Sequence, residues 1–164
     1  MKYRIAPLAE RYIAGFHAAF DSVAREREHL AHLKAPPLRD TRKFLRNTLR
    51  KGNPNFVALV KGKVVGWCDI TRMEADVFSH SGVLGMGISD GYRGMGIGRA
   101  LMLAALARAR KVGLTRVELT VRPANQRAMK LYKELGFVKE GVKRRGVRVD
   151  GKYEDLYCMG LLLE

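Results

Sequence analysis

Cysteines and long apolar runs are both scarce in this chain of 164 residues. The 2 cysteines, Cys68 and Cys158, stand far apart and outside any C-x-x-C pair, so we expect buried thiols rather than a disulfide framework. No apolar run approaches the ~20 residues of a membrane-spanning helix. Residues 1–5 lack the apolar segment of a signal peptide. We therefore expect a cytoplasmic protein with no membrane partner.

Acidic residues are also few, since 16 Asp and Glu face 31 Lys and Arg and the formal net charge is +15 at pH 7. Such a surface attracts polyanions and steers anionic ligands. Nucleic acid, a ribosome, an anionic membrane and a nucleotide-like cofactor all meet that description. The basic residues are spread along the chain with one run at residues 143–145, whereas a dedicated nucleic-acid tail is more concentrated. The charge alone leaves a nucleic acid or ribosome partner open.

The length suits one domain, residues 1–164, and 47% hydrophobic residues are enough to build its core. The predicted element order is β-α-α-β-β-β-α-β-α-β-β, which indicates an α/β sandwich around a mixed sheet. The predicted elements are a strand at 3–7, a helix at 8–33, a helix from a cap at Asp40 or Thr41 to Gly52, strands at 56–60, 64–70 and 83–88, a helix at 96–112, a strand at 116–121, a helix from Asn125 to Gly136, and a hairpin of 137–149 and 153–162 that turns at Asp150 and Gly151.

A glycine-rich turn at residues 88–99 joins a predicted strand to a predicted helix. The turn is not a P-loop, because the chain has no Gly-Lys-Ser or Gly-Lys-Thr. It is not a Rossmann turn either, because the third glycine position holds Arg99 or Leu101 in the two frames. Converging backbone N–H groups, a helix N-terminus and the charges of Arg93 and Arg99 nevertheless suit an anion such as a pyrophosphate. Taken alone, the motif is equally consistent with a plain tight turn.

Two motifs together resemble one family. Residues 93–98, Arg-Gly-Met-Gly-Ile-Gly, resemble the Q/R-x-x-G-x-G/A acyl-CoA loop of the GNAT superfamily, and residues 125–137 look like its N-x-x-A-x-x-L-Y-x-x-x-G-F signature. The resemblance implies a three-layer sandwich with a mixed, mostly antiparallel sheet of about seven strands and about four helices. It also implies an N-acetyltransferase that moves acetyl from acetyl-CoA to a primary amine in a ternary complex.

The resemblance further implies which residues bind acetyl-CoA. The strand 84–88 would pair with the pantetheine arm, and the loop N–H groups would hold the pyrophosphate. Positive side chains on the helix that follows would approach the adenosine 3′-phosphate. The implied contacts come from Met86, Gly87, Ile88, Arg93, Gly94, Met95, Gly96, Ile97, Gly98, Arg99, Asn125, Arg127, Ala128, Tyr132 and Lys133.

Tyr132 is the predicted general acid. Attack by the amine must expel a thiolate, and a phenol with a reference pKa near ~10 can protonate a thiolate whose acid has a pKa near ~8.5. The alternative is structural, because Ala128, Leu131, Tyr132 and Leu135 form one apolar helix stripe.

The general base is harder to assign, because several members of the family carry a glutamate on the glycine-rich strand and residues 81–88 contain no carboxylate. His80, just before the strand, has a reference pKa near ~6.5 and is our candidate. Asp69, Glu74 and Glu118 are its rivals.

The acceptor site implied by the resemblance lies between residues 24–38 and 142–153, with Trp67 on a neighbouring strand. Glu26 and Glu28 there would attract a cationic amine. His29 and His32 have an H-x-x-H spacing without a third ligand, so we expect no metal. The terminal hairpin offers an edge for a homodimer.

The acceptor itself stays open. The main hypothesis is a small or amino-acid-like amine. A rival within the class is the N-terminus of a protein, such as a ribosomal protein, because a basic enzyme is drawn to ribosomal RNA. An alternative of another class is a non-catalytic module that binds CoA or nucleic acid on the same fold.

Overall fold

The computed structural model describes residues 1–164. Each helix and strand begins and ends close to a change in apolar spacing, a proline or a glycine. Strands are β1 (Arg4–Pro7), β2 (Asn55–Val60), β3 (Lys63–Arg72), β4 (Ser81–Ile88), β5 (Arg116–Val121), β6 (Val138–Val149) and β7 (Lys152–Leu162), and helices are α1 (Ile13–Ala24), α2 (Leu38–Arg50), α3 (Ile97–Lys111) and α4 (Gln126–Glu134), with short 3-10 turns at Glu10–Tyr12 and Asp76–Phe78.

The seven strands form one sheet in the order β1-β2-β3-β4-β5-β7-β6. All neighbours are antiparallel except β4 and β5, which are parallel. A parallel pair needs a crossover, and the segment containing α3 supplies it. Seven strands and four helices confirm the predicted mixed, mostly antiparallel sandwich.

Side chains alternate across the strands, so the sheet has a separate core on each face. On β3, Cys68 and Ile70 pack toward α3, where Leu101 and Met102 are fully buried. Trp67 points to the other face and packs under α1 and α2. These two cores enclose β3 and β4 at the centre of the sheet, between the helix layers.

The first helix ends at Ala24, so the prediction that it continues to residue 33 is wrong. Arg27 has a left-handed φ of 64°, which no helix continues. The carbonyls of Arg27 and Leu30 instead accept hydrogen bonds from the Arg122 guanidinium, at 2.8 and 3.3 Å. A long-range partner therefore replaces the helical bonds that local propensity favours.

The second helix begins at Leu38, two residues before the predicted cap. Pro37 has φ −51°, close to its helical value, and its carbonyl accepts the N–H groups of Asp40 and Thr41. The terminal hairpin is confirmed: Asp150 and Gly151 have φ of 51° and 76°, as a type I′ turn requires. None of the helices is long and apolar enough to cross a membrane.

Candidate active site

The sheet opens between β4 and β5. These strands pair only at Ser81–Arg116, Gly82–Val117 and Val83–Glu118, and beyond Val83 they diverge. The edge of β4 from Gly85 to Ile88 that faces β5 is therefore free of strand partners. A free strand edge offers hydrogen bonds to any extended ligand that enters the gap.

The glycine-rich turn lies at the wide end of this gap. Gly91, Gly94 and Gly96 have φ of 83°, 74° and 82°, values that side chains disfavour. The backbone N–H groups of residues 93–99 donate to no backbone carbonyl, since the first internal bond of this region comes from Ala100 to Gly96. Unpaired N–H groups at a helix N-terminus form an anion site.

Two glycines without left-handed φ serve close packing instead. A Cβ at Gly98 would lie 3.2 Å from both Ile88 and Met86, so this glycine lets α3 approach β4. A Cβ at Gly87 would lie 2.2 Å from the ring of Trp67. Trp67 is 2% exposed and packs on Phe16 at 5.4 Å, so it belongs to the core, and the expectation that it lines the acceptor site is wrong.

The gap and the turn form a cleft of about 940 Å³. Most of the predicted cofactor-binding residues line it, which brings the two sequence motifs together in space. Those lining residues are Met86, Gly87, Ile88, Arg93, Gly94, Gly96, Gly98, Arg99, Asn125, Arg127, Ala128 and Tyr132.

Three predicted residues lie outside the cleft. Ile97 is buried in the core at 1% exposure, while Met95 and Lys133 are exposed but do not line the cleft. Lys130 lines it in place of Lys133. Helix geometry could have found it, since Lys130 is three residues from Arg127 and shares its face, whereas a spacing of six turns the side chain away.

Arg93 is not a free phosphate ligand. Its Nη2 donates to both carboxylate oxygens of Glu26, at 2.7 and 2.8 Å, and its Nε donates to the Ile88 carbonyl at 2.9 Å. Glu26 is therefore neutralised, and the expectation that it attracts a cationic amine is wrong. The pair instead ties the segment after α1 to the end of β4.

Tyr132 is held in the cleft by α4. Asn125 caps this helix, its Oδ1 accepting from the Ala128 N–H at 3.2 Å. The Tyr132 ring is 7% exposed and packs on Phe137 at 5.9 Å, and its hydroxyl makes no hydrogen bond within the protein. Burial raises the pKa of Tyr132, so the phenol keeps its proton at neutral pH.

His80 lies at the wrong end of β4. It is exposed beside Ser81, and its carbonyl accepts the N–H groups of Thr115 and Arg116. The strand from Ser81 to Ile88 spans roughly 23 Å at ~3.3 Å per residue. That separation is too great for His80 to act on a group held beside Tyr132, and the structure does not bring the two together.

Arg122 holds the segment after α1 in place, a role that no local motif indicates. It is 7% exposed at the end of β5, and besides its two carbonyl contacts it lies 3.9 Å from Glu154 of β7. Arg27 in turn pairs with Asp150 at the hairpin tip, with Nε to Oδ2 at 3.2 Å. The segment after α1 and the last hairpin thus meet over the sheet, as the resemblance implies for an acceptor site.

Glu26, Glu28 and His29 have ligand atoms within 4.8 Å of one another at the edge of the cleft. The group differs from the H-x-x-H pair, because His32 packs against Phe20 at 5.6 Å instead. Burial lowers the pKa of His29, with a further effect from the Arg93 charge. Since Glu26 already binds Arg93, one free carboxylate and one neutral imidazole remain.

Comparison with known proteins identifies the family. Residues 17–137 match the model of the Acetyltransferase (GNAT) family. L-amino acid N-acetyltransferase AaaT of Escherichia coli K12 is 32% identical over 111 residues, which cover 67% of this chain and 68% of that protein. N-alpha-acetyltransferase RimI of Mycobacterium tuberculosis is 38% identical over 98 residues, which cover 60% and 59%.

Solved structures of acetyltransferases have the same fold as this chain. A GNAT acetyltransferase from Streptococcus pneumoniae has a TM-score of 0.92 at 28% identity, covering 99% of this chain and 100% of that one. The structure of yncA from Salmonella typhimurium with its cofactor acetyl-CoA has a TM-score of 0.93, covering 99% and 94%, and its 18% identity shows the fold alone. The chain belongs to the GNAT family of acetyltransferases, and it is an acyltransferase with acetyl-CoA as co-substrate.

The cleft fits this co-substrate. The unpaired N–H groups of residues 93–99 suit a pyrophosphate, and the free edge of β4 suits the amides of an extended arm. Arg127 and Lys130 place exposed cations at the outer end, where a further phosphate would lie. The part of the cleft between Met86 and Tyr132 is left for the acetyl thioester.

Proposed function

We propose that the protein transfers acetyl from acetyl-CoA to the primary amine of a small, amino-acid-like acceptor, directly within a ternary complex. One observation carries this proposal: the open strand edge, the anion-binding turn and the Tyr132 hydroxyl all face a single cleft. The resemblance to a relative named an L-amino acid N-acetyltransferase supports the acceptor class.

Each part of the site has a separate role in this proposal. Bound acetyl-CoA supplies an activated acetyl thioester. The N–H groups of residues 93–99 bind and orient it, and the free N–H groups of β4 near Met86 to Ile88 stabilise negative charge on the thioester oxygen. Tyr132 holds a proton for the departing sulfur, because its neutral phenol has no competing partner in the protein.

Release of free CoA thiol, followed across a panel of L-amino acids, amino-acid amides and short peptides, tests the proposal. We expect turnover with at least one primary amine and none with its N-acetylated form. Binding of acetyl-CoA without turnover on any amine would instead favour the non-catalytic CoA-binding module. Absence of acetyl-CoA binding by folded protein would contradict both.

A second candidate acceptor is the N-terminus of a protein that is bound to a polyanion, such as a ribosomal protein on ribosomal RNA. The basic face of α2 favours this candidate. Five cations at spacings of three, four, seven and eleven residues share one face of this helix, around a hollow of about 610 Å³ that no hydrophobic residue lines. Glu10 is their main counter-charge, bound to Arg46 at 2.7 Å. The five are Arg39, Arg42, Lys43, Arg46 and Arg50.

This second candidate predicts salt-dependent binding to ribosomes through α2. The double variant Lys43→Glu and Arg50→Glu should weaken ribosome binding at low salt and lower its salt slope, by about one unit per lost phosphate contact. The variant Lys63→Glu and Lys152→Glu, with the same change in charge at exposed sites elsewhere, is the control. Equal binding by the two variants in a sedimentation assay would contradict an α2 docking surface.

A further inference from the structure

Asp69 of β3 lies directly opposite Gly85 of β4. Its side chain points to the face covered by α1 and α2, since Trp67, two residues earlier, packs there. Gly85 is two residues beyond the last β4–β5 pair, where the sheet has begun to open. A Cβ on Gly85 would lie 3.4 Å from Oδ1 of Asp69, so the carboxylate reaches over β4 where that strand has no side chain.

The Asp69 carboxylate has no counter-charge. Among 31 Lys and Arg none forms an ion pair with it, and its one side-chain hydrogen bond comes from the Thr71 hydroxyl at 3.5 Å. The paired residues on β2 and β4, Asn55 and Gly85, are not ionisable. The neighbouring Cys68 has its pKa raised by burial and, to a smaller extent, by the Asp69 charge. Asp69 is half-buried, and desolvating a carboxylate without a counter-charge is costly, so such groups concentrate at functional sites.

Asn55 supplies a second, independent sign of a polar site. It is the β2 residue paired with Asp69, is 6% exposed, and has no hydrogen-bond partner for either Oδ1 or Nδ2. Opposed Cβ atoms in such a pair are ~4.5–5.5 Å apart. An amide with a free donor and acceptor beside a carboxylate is suited to hold a water molecule.

We propose that Asp69 is the general base, acting on the acceptor amine through one water molecule; this rests on the proposed acetyl transfer. Cys68 belongs to the same core as Tyr132, on the α3 face of the sheet, whereas Asp69 points to the face covered by α1 and α2. Tyr132 of α4 and Asp69 of β3 therefore approach the gap from opposite faces of the sheet. Because β4 separates Asp69 from the gap by ~4.8 Å, a bridging water completes the path. Asp69 supplies the carboxylate that β4 lacks.

The protons balance in this scheme. Asp69 takes one proton, through the water, from the acceptor ammonium, and the free amine attacks the thioester carbon. A C–N bond forms and the C–S bond breaks. The sulfur takes its proton from Tyr132, which is restored by the second proton leaving the nitrogen. Asp69 returns its proton to solvent, so the products are the amide, CoA thiol and one proton.

The test is the pH profile of kcat for wild type and Asp69→Asn, with an amine accepted by the wild type. Burial raises the pKa of Asp69 to about 7, so wild-type activity should rise with pH through that region. We expect the variant to lose this rise and at least ~30-fold in kcat at pH 7, with acetyl-CoA affinity unchanged. A low-pKa analogue of the amine, already unprotonated, should recover most of the loss.

Glu74→Gln is the matched control, because Glu74 is an exposed rival carboxylate paired with Lys51. Thermal unfolding checks separately that the substitution leaves the fold intact and that the raised pKa of Asp69 is a property of the folded protein. A raised folded pKa means that stability is complete below the ordinary pKa of 3.8 and is lost as pH rises through about 7. Asp69→Asn should therefore match wild type at pH 4 and melt at a higher temperature at pH 8.

An active Asp69→Asn with an unchanged pH profile overturns this inference alone. A variant that melts earlier than wild type at pH 8, or that loses equal activity with the low-pKa amine, assigns Asp69 a structural role and also overturns it. Absence of wild-type turnover on any amine overturns the proposed function, and the base with it.

Discussion

Gly96→Glu should weaken acetyl-CoA binding by at least about 100-fold. Gly96 caps α3 with φ 82° among the unpaired N–H groups of the turn, so a carboxylate there would enter the anion site. Repulsion from one phosphate charge at ~5 Å is on the order of 3 kcal/mol at an effective dielectric constant of 20, which is about a 100-fold change in the dissociation constant. Isothermal titration with acetyl-CoA measures it directly.

The control is Gly113→Glu. Gly113 has φ 83° and open space around it, so the substitution imposes the same backbone strain and charge at the end of α3, away from the cleft. We expect both variants to lose similar stability while Gly113→Glu keeps wild-type affinity. Affinities within threefold for Gly96→Glu and wild type would show that the turn does not bind the pyrophosphate.

Much of the fold was accessible from the sequence because its signals are local. The turn pair Asp150-Gly151 determines the last hairpin, and strand β5 was predicted at its observed bounds, 116–121. Helix α4 was predicted with both its cap and its stop. The first helix was overextended because Arg122, about a hundred residues away in sequence, takes the carbonyls that would continue it.

The cleft was only partly predictable for the same reason. Motif spacing located the anion-binding turn and Tyr132, which depend on local backbone geometry. It assigned Arg93 to phosphate because nothing near it in sequence shows its partner, Glu26, 67 residues away. Motif spacing indicates Asp69 only as a rival base. That Asp69 lies opposite Gly85 follows from the sheet register, which the sequence does not show.

Two polar side chains near the candidate site lower the stability of the fold, because they lack partners. The protein holds Asp69 partly buried without a cation and Asn55 buried without a partner, although it has a large excess of Lys and Arg. Most other carboxylates form ion pairs, as Glu140 does with Arg116 at 2.9 Å. An unpaired carboxylate over Gly85, where the sheet opens, with an unpaired amide next to it on β2, is more readily explained by a substrate and water than by packing.

Tyr132→Phe should lower kcat about 100-fold or more, within the usual range for loss of a general acid. The ring packs on Phe137 and the hydroxyl makes no hydrogen bond within the protein, so the substitution removes the acid and leaves the packing. We therefore expect unchanged stability and unchanged acetyl-CoA affinity. Because burial raises the pKa of Tyr132, wild-type activity should show no fall up to pH 10, where an ordinary phenol would have begun to ionise.

Tyr157→Phe is the comparison variant, since Tyr157 is a partly buried tyrosine outside the cleft whose ring contacts Lys139. It should keep wild-type kcat. If Tyr132→Phe also retained more than a third of wild-type kcat in steady-state assays, Tyr132 would be a packing residue and the thiolate would leave unassisted. If Tyr132→Phe and Asp69→Asn each reduce kcat but only Asp69→Asn abolishes the rise near pH 7, the acid and the base are assigned to opposite faces of the sheet.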